Sequence, residues 1–227
     1  MNPDPSDTGL GVQAYREIWK RIVHLEYPPL AVLKEAQLSE ELGIGLAPIR
    51  QALRRLEYDG LVMILPRRGT LTTEVGLNSI QWELEIRVEL EGLAARLAAK
   101  RGSEAQRAEL REIMAKLEEV YAEGATYSRM QRFTDLDGEF HRNLYLQTHN
   151  PSLISDLERH FAHSLRIWFY RHRSAPTVVE EASMWNYREI VAALEERDAD
   201  RAEAALRWHI MHDTERVLTE LHQTSTI

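Results

Sequence analysis

Apolar residues recur at helical spacing along most of this chain, and short β-prone runs occur in one stretch only. Tyr15, Ile18, Trp19, Ile22 and Val23 lie at core spacing between Gln13 and Glu26. They predict an amphipathic helix that Tyr27-Pro28-Pro29 stops. Two shorter helical patterns then meet at a glycine, and Ile49, Ala52, Leu53 and Leu56 fall on one face of the second. Gly45 stands where an N-cap belongs and Pro48 lies in the first turn, so this helix is predicted to begin near Leu46. After Gly60, the runs Leu61 to Leu65 and Thr70 to Val75 are β-prone and separated by Pro66-Arg67-Arg68-Gly69, which fits a two-stranded wing.

Helix, turn, helix and basic hairpin in that order outline a winged helix-turn-helix, a fold suited to duplex DNA. The second helix sets Ala47, Arg50, Gln51, Arg54 and Tyr58 opposite its apolar stripe, with Arg50 in the part that enters the major groove. Arginine can pair bidentately with guanine or hold a phosphate. Arg67, Arg68 and Gly69 form the predicted wing tip, whose charges add affinity and salt dependence with little sequence information.

Beyond Val75 to Ser79 every segment is helical in pattern. Six helices are predicted, over Ile80 to Lys100, Ser103 to Ala122, Tyr127 to Thr148, Pro151 to Arg173, Thr177 to Arg197 and Ala199 to Gln223. The predicted class is therefore mainly α, a winged helix-turn-helix over residues 11–75 followed by an all-α helical bundle. Residues 1–10 read as a disordered arm, residues 76–79 as a linker, and residues 80–227 as a helical domain for effector binding and dimerisation.

A net charge of −8 on 227 residues argues at first against nucleic acid, but its distribution answers the objection. Residues 46–70 hold five arginines against Glu57 and Asp59, whereas residues 76–227 carry a net −7. Positive charge is concentrated on the proposed reading element. The chain has no cysteine, which excludes disulfides and cysteine nucleophiles. No apolar run approaches the roughly 20 residues that span a bilayer, so the expectation is a cytoplasmic protein with no membrane partner.

The chain resembles the GntR family of bacterial transcription regulators, in the FadR-like group with a C-terminal all-helical FCD domain. The likeness rests on Leu42 to Leu53, Glu57 to Val62 and Pro66 to Gly69 in the first part. In the second part it rests on Arg87, Leu90 and Glu91, on Asp137-Gly138-Glu139-Phe140-His141 followed by Asn150-Pro151, and on Ile190, Ala193, Asp198, Ala202 and His209. The resemblance implies a homodimeric regulator, in most members a repressor, that binds a pseudo-palindromic DNA operator and responds to a small organic acid. One departure lies at the turn, where Leu46 stands in a place at which many members carry arginine.

The resemblance also implies a divalent metal bound by one Asp and three His. Asp137, His141 and His209 occupy three of those positions, and Tyr187 holds the fourth. Two histidines and a carboxylate suit zinc, nickel, manganese or iron, with Tyr187 donating a hydrogen bond to effector or water instead of ligating. Arg87 is the candidate anchor for an effector carboxylate, and its alternative partners are Glu83 and Glu91. His160 and His163, near Arg159, Arg166, Arg171, His172 and Arg173, are expected in a basic, partly exposed stretch, and His212 at the surface. Trp82, Trp168, Trp185 and Trp208 are expected to anchor core or interface. Two other readings stay open: a metal-dependent hydrolase using Asp137, His141 and His209, and a regulator whose pocket takes its effector without metal.

Overall fold

The computed structural model describes residues 9–123, 127–171 and 181–224. Most of the predicted N-terminal arm, and the predicted helix start at Thr177, lie outside these residues. In chain order the elements are α1 (Leu10–Val23), β1 (Val32–Leu33), α2 (Glu35–Leu42), α3 (Leu46–Tyr58), β2 (Val62–Leu65), β3 (Gly69–Thr72), α4 (Leu77–Arg101), α5 (Glu104–Ala122), α6 (Tyr127–Gln147), α7 (Pro151–Arg171), α8 (Glu181–Glu195) and α9 (Ala199–Thr224). They form two compact units, one built from the chain up to Gly76 together with Phe161–Tyr170, the other from the remainder.

In the first unit α1 packs on α3, and Ile18, Ile22, Leu38, Ile49, Leu53, Leu56 and Leu61 form its core. Helix α1 begins three residues before the predicted Gln13 and takes in Leu10, Gly11 and Val12. A Cβ on Gly11 would stand 2.6 Å from Gln51 Oε1. Between α2 and α3 the chain turns on Gly43, at φ 64°, a region that costs glycine little. The Ser39 hydroxyl closes the turn by donating to the Ile44 carbonyl. The sheet has the order β1-β3-β2, all antiparallel, with Met63 opposite Leu71 and Leu65 opposite Gly69. The two-residue β1 was not predicted, since two residues are too few to display alternation.

A segment of α7 completes this core. Ala162 and Phe169 are buried in it, and Leu165 and Trp168 pack against it. Arg166 is 1% exposed and donates to both the hydroxyl and the carbonyl of Thr73, while the His163 Nε2 lies 2.8 Å from the Asp59 carbonyl oxygen. The basic stretch expected here as partly exposed surface is thus, at Arg166, interior. Burial lowers the pKa of this guanidinium to about 10.

The second unit is a helical bundle in which α4 packs on α9, α6 and α8, and α5 on α6 and α8. Helix α4 starts at Leu77, ahead of the predicted Ile80, which is a deeply buried residue that anchors its apolar pattern. Side chains cap the helices that follow. Ser103 and Gln106 form a capping box on α5, the Asn150 side chain accepts from the Leu153 amide ahead of α7, and Asp198 accepts from Arg201 at the start of α9. Among the described residues no helix is long and apolar enough to cross a membrane.

Candidate functional site

The exposed face of α3 carries every helix residue predicted to meet DNA. Its four buried residues, Ile49, Ala52, Leu53 and Leu56, turn inward, leaving Leu46, Ala47, Arg50, Gln51 and Arg54 exposed. Arg50 donates from Nε to Glu35 Oε2 at 2.7 Å while its side chain stays 57% exposed. The Gln51 amide lies against Gly11 of α1. The helix is fixed to its own unit by the Tyr15 hydroxyl, which donates to Asp59 at 2.7 Å, and by Arg55 over the Tyr15 ring. At the wing tip the Arg68 amide donates to the Leu65 carbonyl, with Arg67 at φ 63° and Gly69 at φ 94°. Arg67, Arg68 and Gly69 are exposed, so two guanidiniums project from a tight turn.

In the second unit, Asp137 and His141 lie one turn apart on α6 and meet His209 of α9. One ligand atom from each falls within 4.8 Å of the others. Helical spacing brings the first two together, whereas His209 arrives only through packing of α9 on the bundle. His141 Nδ1 lies 2.8 Å from Glu91 Oε2, and its Nε2 lies 3.4 Å from Asp137 Oδ1. Glu91, with no exposed surface, also accepts from Arg87 Nε at 2.8 Å. The groups Arg87, Glu91, His141 and Asp137 thus form a chain of alternating charge through α4 and α6.

That alternation governs protonation. Burial by itself raises the Glu91 pKa, but Arg87 and His141 outweigh it and bring the carboxyl down to about 2. Burial likewise disfavours a charged imidazole, yet Glu91 and Asp137 hold His141 at about 10. Tyr145 shares this environment, its hydroxyl 3.4 Å from His141 Nδ1. Burial and the nearby Glu91 push its pKa upward.

Tyr187 of α8 is buried beside the cluster. Its ring packs edge-on to His209 at 4.7 Å and to Phe140 at 5.0 Å, and its hydroxyl donates to Asp137 Oδ1. The donor set of one carboxylate and two imidazoles fits a divalent transition metal. With His141 Nδ1 engaged by Glu91, Nε2 is the nitrogen turned to the shared space, the arrangement by which an outer carboxylate orients a metal-binding histidine. Sequence reasoning placed Glu91 among the residues that carry the resemblance and as a partner for Arg87, and not beside His141. Its contact with His141 joins two helices far apart in the chain, and neither helical spacing nor charge pattern signals it.

Arg87 is buried and engaged by Glu91, so holding an effector carboxylate would require Glu91 to share its guanidinium. His160 pairs with Glu83 at 2.8 Å. Trp82 and Trp185 are well exposed, and Trp208 stacks on His212; Trp168 packs against the core of the first unit.

Residues 83–212 match the FCD domain, and residues 10–71 match the bacterial regulatory proteins of the gntR family. The chain is 28% identical over 210 residues to the HTH-type transcriptional regulator YdhC of Bacillus subtilis, covering 91% of this chain and 90% of that one. It is 27% identical over 210 residues to the HTH-type transcriptional repressor RspR of Escherichia coli, covering 90% and 87%. Among solved structures, E. coli McbR/YncC matches with a TM-score of 0.82 at 23% identity, over 94% of this chain and 99% of that chain, a likeness of fold. These two matches, which between them take in the helix-turn-helix, the basic wing and most of the helical bundle, establish that this protein belongs to the GntR family of bacterial transcription regulators, in the group that carries an FCD domain.

Proposed function

We propose that the protein is a homodimeric repressor whose α3 and wing bind a pseudo-palindromic operator, and whose FCD domain senses a small carboxylate-bearing metabolite at Asp137, His141 and His209. Family membership makes the protein a DNA-binding regulator and not an enzyme, which removes the metal-dependent hydrolase reading. The observation that supports the DNA half is the exposed set Ala47, Arg50, Gln51 and Arg54 on a helix whose opposite face is wholly buried. Two such heads would occupy major-groove faces about one helical turn apart.

The convergence of Asp137, His141 and His209 supports the sensing half. A divalent ion there would supply Lewis-acid attraction for a carboxylate oxygen at coordination positions the protein leaves open. Glu91 orients His141, Tyr187 holds Asp137 in place, and Phe140 walls the cluster. The effector alters operator affinity only so far as it binds two states of the dimer unequally.

Selection of bound duplexes from random DNA tests the reading, repeated with Arg50→Ala and Arg67→Ala. Loss of Arg50 should change the preferred sequence. Loss of Arg67 should weaken all sequences alike and lower the salt slope by about 1. If neither substitution alters binding, α3 and the wing are not the contact surface. Calorimetry on chelator-stripped protein tests the metal, and no uptake of zinc, nickel, manganese or iron at millimolar concentration would remove it from the proposal.

A further inference from the structure

The tip of α3 pairs an apolar side chain with an oriented guanidinium. Leu46, the first residue of the helix, is 43% exposed and takes no part in the buried stripe. Arg50 stands one turn later on the same flank, and residues four apart on a helix present their side chains roughly 5–6 Å from each other. Glu35, the first residue of α2, accepts from the Nε of Arg50. With Nε taken, the two terminal nitrogens form the edge left to meet a base.

The major groove offers one apolar feature, the C5-methyl of thymine, and one preferred bidentate partner for arginine, the O6 and N7 of guanine. We infer that Leu46 packs on a thymine methyl while Arg50, oriented by Glu35, pairs with a guanine within about two base pairs of it. The inference rests on the reading of α3 as the DNA-contacting helix and assigns that helix its bases. Glu35 is a positioning residue in this scheme. Its negative charge opposes phosphates, so its contribution is discrimination and not affinity.

The test uses the full chain and the duplex it selects from random DNA. Each thymine of the half-site is replaced in turn by deoxyuridine, which lacks only the methyl, and affinity is read by fluorescence anisotropy at fixed salt. One thymine should be sensitive, with binding weakened about threefold to tenfold, and in Leu46→Ala the same replacement should have no effect. A guanine within about two base pairs should lose its preference over adenine in Arg50→Ala. In Glu35→Gln that preference should shrink while binding to unrelated DNA tightens. The inference is overturned if the half-site holds no thymine, if no methyl matters, or if the uracil penalty persists unchanged in Leu46→Ala. It is also overturned in its Glu35 part if Glu35→Gln tightens every sequence by the same factor. An Arg50→Ala protein with unaltered sequence preference would instead refute the underlying reading of α3.

Discussion

Glu91 joins Arg87 and His141 through its two carboxylate oxygens, Oε1 accepting from Arg87 on its own helix and Oε2 standing 2.8 Å from His141 Nδ1 on α6. The residue has no exposed surface, so its removal strands a buried guanidinium. Glu91→Gln should cost about 3–5 kcal/mol of stability, the range for breaking a buried pair on one side. Urea unfolding measures it, and a loss below about 1 kcal/mol would show that the pair carries little of the bundle's stability.

Tyr187 stands where the family resemblance implies a third imidazole, and its hydroxyl donates to Asp137. Tyr187→His should tighten zinc or nickel binding by about tenfold or more, one additional ligand bond exceeding the roughly 1.4 kcal/mol that a decade requires. Tyr187→Phe keeps Asp137, His141 and His209 and should still take up metal, whereas His209→Ala should not at comparable concentration. Titration calorimetry on chelator-treated protein separates the three. Equal affinities across them would place any bound metal elsewhere.

Arg166 places a guanidinium in the core of the first unit, where the side chain donates to Thr73. Burying a charge on neutral partners costs more than the hydrogen bonds return. Arg166→Met keeps the length and removes the charge, and should leave stability within about 1 kcal/mol of the parent or raise it. Arg166→Ala leaves a void and should lose about 2 kcal/mol or more. Thermal and urea unfolding distinguish them, and a large loss in Arg166→Met would mean that the Thr73 bonds outweigh desolvation.

Gly102 follows α4, where a Cβ would meet the Ala98 carbonyl oxygen at 2.8 Å and crowd the buried Gln147 amide. Gly102→Ala should destabilise by about 1–3 kcal/mol through overpacking. Gly102→Ala combined with Gln147→Ala should recover part of that loss, because one of the two clashing groups is gone. A double variant no more stable than the sum of the singles would place the strain on the backbone contact alone.

Local signals in the sequence reached far in this protein. The face of α3 was legible because Ile49, Ala52, Leu53 and Leu56 share one stripe, and the helix boundaries because Gly45, Gly102, Asn150-Pro151 and Asp198 are cap or breaker residues. Asp137 with His141 was legible as an i,i+4 pair. His209 and Tyr187 were reachable only through resemblance, since packing and not spacing brings α8 and α9 to α6. The service of Glu91 to His141 and the burial of Arg166 were not legible, because a charged residue in a helical pattern reads as solvated unless its tertiary neighbours are known. The use of Gly11, which admits the Gln51 side chain, was not legible for a related reason: it is a contact between helices.

The core behind α3 is discontinuous in the chain, since Ala162 and Phe169 belong to it although they lie 86 and 93 residues beyond Gly76. A fragment cut at Gly76 would present to water the surface that these two side chains cover, so the N-terminal part is not a portable cassette. Recombination that grafts a new head onto this sensor, in evolution or at the bench, inherits a matching problem at residues 161–170. Substitutions at the exposed Leu46 and Arg50 would leave that core untouched, but the underside of any grafted head must suit a helix encoded in the other half of the gene.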